Sequence, residues 1–243
     1  MIKALLFLLN SAKLLPLLKM GATMIVSVGA YALIFGWWYA VGFVGLILVH
    51  ELGHYMAARR LGLAAGLPMF IPFLGAWVEL KEQPMTVSQE AYVAFAGPFV
   101  GTIGATVVLW LAGQYESNLL MALAFAGFFI NLFNLIPMTP FDGGRIVAIL
   151  SPKLWFLGVP ILLIAFFYLR SPMLLIILIL LAPTMWHALK AAWEGRAPED
   201  KPRYYEVPIE ARIRYGAYYL LLIVYLSAMT YQIHERLGSA LRS

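Results

Sequence analysis

The chain has 243 residues, of which 63% are hydrophobic and only 12% are charged, and its net charge is +5. This composition excludes an ordinary soluble protein and predicts an α-helical polytopic membrane protein. The positive charge does not indicate a nucleic-acid partner, because the basic residues cluster at the ends of apolar segments, where the lipid bilayer supplies acidic head groups. The absence of cysteine excludes disulfides and thiolate metal ligands.

Apolar segments of about 20 residues recur along the chain, which is the length that a helix needs to cross a hydrocarbon core about 30 Å thick. We expect six or seven transmembrane helices. The predicted spans are 20–37, 38–58, 91–112, 118–137, 153–169, 172–189 and 215–233. Residues 1–19 contain lysines spaced among leucines and no small-residue cleavage site. They are predicted to form an amphipathic interfacial segment rather than a secretory signal.

The basic residues also predict an orientation. If residues 1–19 are cytoplasmic and seven spans alternate from there, only Arg170, Arg236 and Arg242 among the 17 Lys and Arg residues lie outside. Lys and Arg bias sets orientation, so the N-terminus and the C-terminal half of the second span are predicted to face the cytoplasm. We expect an integral protein of a prokaryotic cell membrane.

The second span contains the sequence His50-Glu51-Leu52-Gly53-His54. Two histidines four positions apart lie on one face of a helix, so both imidazoles can bind one metal ion while Glu51 addresses a water on that ion. A charge at the centre of a spanning helix costs roughly 2.5 to 3.5 kcal/mol, so Glu51 in an apolar run indicates a functional site. The pattern predicts the ligand layout of a zinc hydrolase.

Residues 62–90, between the second and third spans, contain too many Gly and Pro residues for a regular helix. Phe70 to Leu80 is predicted to form short strands that turn near Leu74 and Gly75. The alternative is an inert interfacial loop.

The chain after the fourth span interrupts the helical pattern. Pro137 and Pro140 cannot continue a regular helix, and two glycines relax the backbone after Asp142. A broken backbone at membrane depth is tolerated where it is buried in protein or lines a cavity. Asp142 is therefore the predicted third ligand, since two histidines and one carboxylate leave zinc an open position for water. Alternatively, Asp142 caps the helix that begins around Gly143 and pairs with Arg145.

These motifs resemble those of the site-2 proteases, a family of zinc-dependent intramembrane metalloproteases. The family's H-E-x-x-H and N-x-x-P-x-x-x-x-D-G motifs both occur at the same spacing, in His50, Glu51, His54, Asn134, Pro137, Asp142 and Gly143. A weaker likeness is Ala96-Gly97-Pro98, where the family often has a similar Gly-Pro.

The resemblance implies that His50, His54 and Asp142 bind one zinc ion per chain. It also implies that Glu51 is the catalytic base and that Asn134 helps to hold the substrate or its oxyanion. The implied function is an endopeptidase that cuts transmembrane protein substrates in or near their spans, in regulated proteolysis. A membrane-associated β element lies between the second and third spans of the family. Its exposed edge could hold an unwound substrate by main-chain hydrogen bonds.

The resemblance covers about residues 38–150, which we interpret as the catalytic core. The other predicted units are 1–19, the interfacial segment; 20–37, an accessory first span; 151–192, accessory spans; 193–214, a cytoplasmic loop; and 215–243, the last span and tail. The loop 193–214 is a solvated linker or, alternatively, a contact for the substrate's cytoplasmic segment. No segment is large enough for a PDZ or CBS domain, so a compact member of the family is expected.

Two functions compete with proteolysis. A divalent-metal transporter should have ionisable or polar residues along a path across several spans, whereas here they concentrate at one depth. A catalytically silent membrane-protein binder would not need Glu51, which is not required to hold the metal. The sequence carries no signal for an oligomeric state.

Overall fold

The computed structural model describes residues 14–73, 75–78, 86–170, 172–195 and 203–240. A short 3-10 helix, Pro152–Leu157, precedes α6. The other elements in chain order are α1 (Leu15–Phe35), α2 (Trp37–Arg60), β1 (Met69–Ile71), β2 (Gly75–Trp77), α3 (Val87–Gln114), α4 (Asn118–Asn134), α5 (Asp142–Val147), α6 (Gly158–Leu169), α7 (Pro172–Glu194) and α8 (Ile209–Ala240).

Five of these helices are long and apolar enough to cross a membrane, namely α1, α2, α3, α7 and α8. The two remaining predicted spans correspond to shorter apolar helices, Asn118–Asn134 and Pro152–Tyr168. The first of these ends at Asn134 rather than at residue 137, since Pro137 prevents the helix from continuing. The described residues confirm an α-helical polytopic membrane protein.

Several predicted boundaries shift in the structure. The first long helix begins at Leu15, so the end of the predicted interfacial segment 1–19 is continuous with α1, and residues 1–13 lie outside the described residues. The last helix begins at Ile209, within the predicted loop 193–214. Residues 196–202 of that loop also lie outside the described residues.

The helices α2 and α3 touch through their backbones. A Cβ atom at Gly53 would lie 2.4 Å from the carbonyl oxygen of Ala96, so no larger residue fits between the two helices there. Small residues permit such close packing of spanning helices, where dispersion contacts and interhelical hydrogen bonds drive association. The contact places the H-E-x-x-H turn of α2 directly against α3.

The predicted β element is present as a two-stranded antiparallel hairpin. Met69 pairs with Trp77, Phe70 with Ala76 and Ile71 with Gly75. The strands thus turn at residues 72–74; Leu74 itself and residues 79–85, which include the predicted strand end at Leu80, lie outside the described residues.

The hairpin is anchored to the first two spans. The Phe70 amide donates to Thr23 Oγ1 at 3.3 Å, and the Phe73 amide donates to Tyr31 Oη at 3.1 Å. The Phe70 side chain is buried in one apolar cluster with Val44 and Ile47 of α2. The hairpin therefore lies beside the turns of α2 that immediately precede His50.

The interrupted segment between α4 and α5 is held by side chains from later in the chain. Tyr219 of α8 donates its hydroxyl to the Leu135 carbonyl at 2.6 Å, and the Trp155 indole N–H donates to the Gly144 carbonyl at 2.8 Å. Met138, at the centre of the segment, is fully buried. The broken backbone is thus enclosed by protein, as its place at membrane depth requires.

Candidate metal centre

Three predicted ligands from two distant parts of the chain come together in the structure. His50 and His54 project from α2, and Asp142 is the first residue of α5. The Oδ2 atom of Asp142 lies 3.1 Å from His50 Nε2 and 3.2 Å from His54 Nε2. The two Nε2 atoms lie 3.1 Å apart. All three residues are buried.

This triangle of atoms fits one tetrahedral zinc ion. Zinc bonds of roughly 2.0 to 2.1 Å place neighbouring tetrahedral ligands about 3.3 Å apart, close to the observed separations of 3.1 to 3.2 Å. Two imidazoles and one carboxylate are the donor set of a catalytic zinc site, in which the fourth position stays open. The group could therefore hold a metal ion.

The outer nitrogen of each imidazole has a hydrogen-bond acceptor. His54 Nδ1 donates to the Val93 carbonyl of α3 at 2.8 Å. His50 Nδ1 lies 2.8 Å from Asn131 Oδ1 of α4. A proton on Nδ1 leaves the Nε2 lone pair free to bind metal, so both histidines are held in the ligating tautomer.

The structure contradicts the alternative that Asp142 caps a helix and pairs with Arg145. The N-cap of α5 is Phe141, without a side-chain cap, and the Asp142 carboxylate contacts the two histidines instead. Arg145 faces Glu90 of α3, with 3.9 Å between Nε and Oε1. Asp142 is therefore free to act as a ligand.

Glu51 lies next to this group and is only 6% exposed. Its carboxylate interacts electrostatically with His50 and Asp142. An acid buried beside the ligand triad, and not part of it, is placed as the general base of a metallohydrolase must be.

Asn134 is the first residue of the predicted N-x-x-P-x-x-x-x-D-G motif. It is the last residue of α4 and is half-buried. Its role toward the substrate or oxyanion stays a prediction.

Asn131, one turn before Asn134 on α4, hydrogen-bonds a neighbouring helix. Its partner is His50, one of the three predicted ligands. The sequence contains no signal for this pairing, because the two residues are 81 positions apart and belong to different motifs. The same holds for Val93, which contributes only its backbone.

The structure gives a physical reason for the glycine in Ala96-Gly97-Pro98. A Cβ atom at this position would lie 2.2 Å from His54 Nε2, the atom that faces His50 and Asp142. We expect Gly97→Ala to displace the imidazole and to weaken zinc binding by more than about tenfold, by analogy with the loss of an outer partner. Titration of the purified chain against a competing chelator measures this.

The matched control is Gly113→Ala on the same helix, where an added Cβ meets nothing within 4 Å. That variant should bind zinc as the wild type does. Equal zinc affinity in Gly97→Ala and wild type would show that His54 is not held as the structure has it.

Comparison with known proteins supports the same interpretation. Residues 38–117 match the family described as peptidase family M50. The chain is 35% identical over 121 residues to the zinc metalloprotease MJ0392 of Methanocaldococcus jannaschii, covering 47% of this chain and 34% of that protein. It is 31% identical over 134 residues to the "Putative zinc metalloprotease Rip3" of Mycobacterium tuberculosis, covering 50% of this chain and 34% of that protein.

A third relative is the "Putative zinc metalloprotease sll0528" of a Synechocystis strain, 34% identical over 110 residues, or 42% of this chain and 28% of that protein. The matched stretches span about a third of the length of these relatives. The family match includes His50, Glu51 and His54 but ends before Asp142, which the structure adds to them. Residues 38–117, which include the H-E-x-x-H motif, are therefore similar to peptidase family M50, and these relatives are named as zinc metalloproteases.

Proposed function

We propose that this chain is an intramembrane zinc endopeptidase that hydrolyses peptide bonds in or near the transmembrane segments of other membrane proteins, in regulated proteolysis. The observation that carries the proposal is the buried triad of His50, His54 and Asp142, drawn from two helices, with Glu51 beside it. A soluble hydrolase fold is not needed for this chemistry, because the same donor set can be built between spanning helices.

The residues divide the reaction between them. Bound zinc would supply a Lewis acid for the scissile carbonyl and an activated water. His50, His54 and Asp142 would hold the ion, and Glu51 would accept the proton of the attacking water and return it to the leaving amine nitrogen. Asn134 is proposed to donate its side-chain amide to the developing oxyanion or to the extended substrate.

The hairpin is proposed as the place where an unwound substrate segment aligns. The Phe70 amide points away from β2 and is bonded to Thr23 Oγ1 of α1, so the outer edge of β1 is covered. In an antiparallel pair, the partner residue Ala76 then directs its own amide and carbonyl to the outer side of β2. That edge can accept an added strand close to His50.

The bilayer and the orientation complete the proposal. The chain is proposed to lie in a prokaryotic cell membrane with its N-terminus and active site toward the cytoplasm. The support is the charge bias: if seven spans alternate, all but three of its Lys and Arg residues lie on that side. Residues 38–150 are proposed as the catalytic core, and the spans and loop outside it as accessory elements.

The distribution of buried charge argues against a transporter. Within the described segments, the buried acidic, basic and histidine side chains are His50, Glu51, His54 and Asp142. They form one cluster rather than a series of sites across the membrane, which a transport path requires. Glu51 argues against a catalytically silent membrane-protein binder, because such a protein would not need this residue to hold the metal.

The proposal predicts that metal removal abolishes cleavage. The full chain is reconstituted into liposomes with a panel of single-span membrane proteins, and new termini are mapped by mass spectrometry. We expect cuts in or near the spans, their loss with 1,10-phenanthroline, and their return with one equivalent of zinc. Cleavage that persists without metal, or metal uptake into the liposomes without any cleavage, would contradict the proposal.

A further inference from the structure

A buried chain of hydrogen bonds leads from the backbone of α4 to the metal-binding face of α2. Asn131 Nδ2 donates to the Gly127 carbonyl at 2.7 Å, and Asn131 Oδ1 lies 2.8 Å from His50 Nδ1. Asn131 is only 2% exposed. The Asn131 side-chain amide thus bridges the Gly127 carbonyl and His50, one of the three predicted ligands.

The direction of these bonds follows from their chemistry. The Gly127 carbonyl can only accept, so the NH₂ group of Asn131 must face it and the amide oxygen must face His50. That oxygen can only accept as well, so His50 Nδ1 carries the proton. The remaining ring nitrogen, Nε2, is then unprotonated and points at Asp142, 3.1 Å away.

The third helix prevents the amide from leaving this position. A Cβ atom at Gly101 of α3 would lie 2.3 Å from Asn131 Oδ1 and 2.8 Å from Nδ2. The Asn131 side chain is therefore packed against the α3 backbone, on the side where Gly101 has no side chain. Asn131 is fixed by α4, α3 and α2 together.

We propose that Asn131 is a positioning residue of the metal site, which holds His50 in its ligating tautomer and orientation and thereby contributes to zinc affinity. The inference rests on the proposed function in requiring that His50 binds zinc. Without an acceptor at this place, the buried His50 Nδ1–H would lose its partner, and the other tautomer or a rotated ring would become competitive. Either change moves the lone pair away from the ion.

The test compares zinc dissociation constants of full-length chains by chelator competition. Asn131→Leu keeps the volume and removes the acceptor, and we expect zinc binding about 10- to 100-fold weaker. Asn131→Asp keeps an acceptor for His50 but loses the donor to the Gly127 carbonyl, so we expect zinc binding weaker than in the wild type and tighter than in Asn131→Leu. The control is Asn118→Leu, an exposed asparagine at the start of the same helix.

A second pair of variants leaves Asn131 in place. Gly101→Ala should push the amide off His50 and weaken zinc binding, whereas Gly113→Ala, with nothing near its Cβ, should not. Cobalt substitution adds a spectroscopic measurement, since the visible bands of Co²⁺ report ligand geometry. We expect these bands to change in Asn131→Leu and to change less in Asn131→Asp. Circular dichroism and size-exclusion chromatography establish that each variant is folded.

The possible outcomes separate the two proposals. Wild-type zinc affinity in folded Asn131→Leu, or an equal loss in Asn131→Asp and Asn131→Leu, would overturn the positioning role while leaving the zinc site intact. A wild type that binds no zinc would instead overturn the proposed function. A loss in Asn131→Leu that is smaller in Asn131→Asp is the expected result.

Discussion

Glu51→Gln is expected to lower peptide hydrolysis by about 10²- to 10⁴-fold and to leave the zinc content unchanged. The glutamine keeps the shape of the side chain but cannot accept the proton of the attacking water. Zinc should be retained, because the ligand triad consists of His50, His54 and Asp142. Removing a buried charge from beside the triad should not destabilise the chain, since charge at this depth is costly.

The measurement combines cleavage rate and elemental analysis on the same preparation. A matched control is Glu210→Gln, in the exposed first turn of α8, which should cut as the wild type does. Cleavage at the wild-type rate in Glu51→Gln would remove Glu51 as the base. Loss of zinc together with activity would instead make Glu51 part of the metal site.

Asp142→Ala is expected to weaken zinc binding strongly, because it removes a predicted ligand. The loss should exceed the factor of about 10 to 100 that is typical when a hydrogen-bond partner of a ligand is removed. Zinc should fall from about one ion per chain in the wild type to a small fraction in the variant. Elemental mass spectrometry of detergent-purified protein measures this without any known substrate.

Glu116→Ala serves as the control for Asp142→Ala. Glu116 is an exposed acid in the connection between α3 and α4, far in sequence from the three ligands. Zinc retained at the wild-type level in Asp142→Ala would separate the two motifs that the structure joins. The expected loss would show that one ion binds residues from both.

The sequence predicted those site residues that belong to a recognisable pattern of neighbouring residues. His50 and His54 share a helix face through their spacing, and Asp142 stood out as an acid beside helix-breaking residues. The hairpin was predicted because Gly and Pro between residues 62 and 90 exclude a helix. In each instance the signal lies within a few residues and reflects a backbone or burial constraint.

The partners of the histidines were not predictable in this way. Val93 supplies a carbonyl that any residue would supply, and Asn131 meets His50 only through the packing of α4 against α2. Gly97 stands out in the sequence only as part of the Ala96-Gly97-Pro98 likeness, and Gly101 is one of several glycines in the third predicted span. The lack of a side chain at Gly97 leaves room for His54, and the lack of one at Gly101 leaves room for Asn131. Both contacts depend on the tertiary structure.

The predicted C-terminal end of the fourth span, residue 137, was wrong for a related reason. Hydropathy continues past Asn134, but the helix stops there because Pro137 follows, and the apolar residues beyond it fill the protein interior instead of crossing a membrane. An apolar run therefore predicts burial better than it predicts a complete span.

The ligand triad joins residues that are 92 positions apart, His50 on α2 and Asp142 on α5. In a chain without cysteine, an ion held there acts as the cross-link that a disulfide provides elsewhere. It ties the second span to the interrupted segment that α8 and the 3-10 helix enclose. Metal loading would then be a step of assembly as well as of activation, so a newly inserted chain acquires its mature tertiary structure and its capacity to cut in one event.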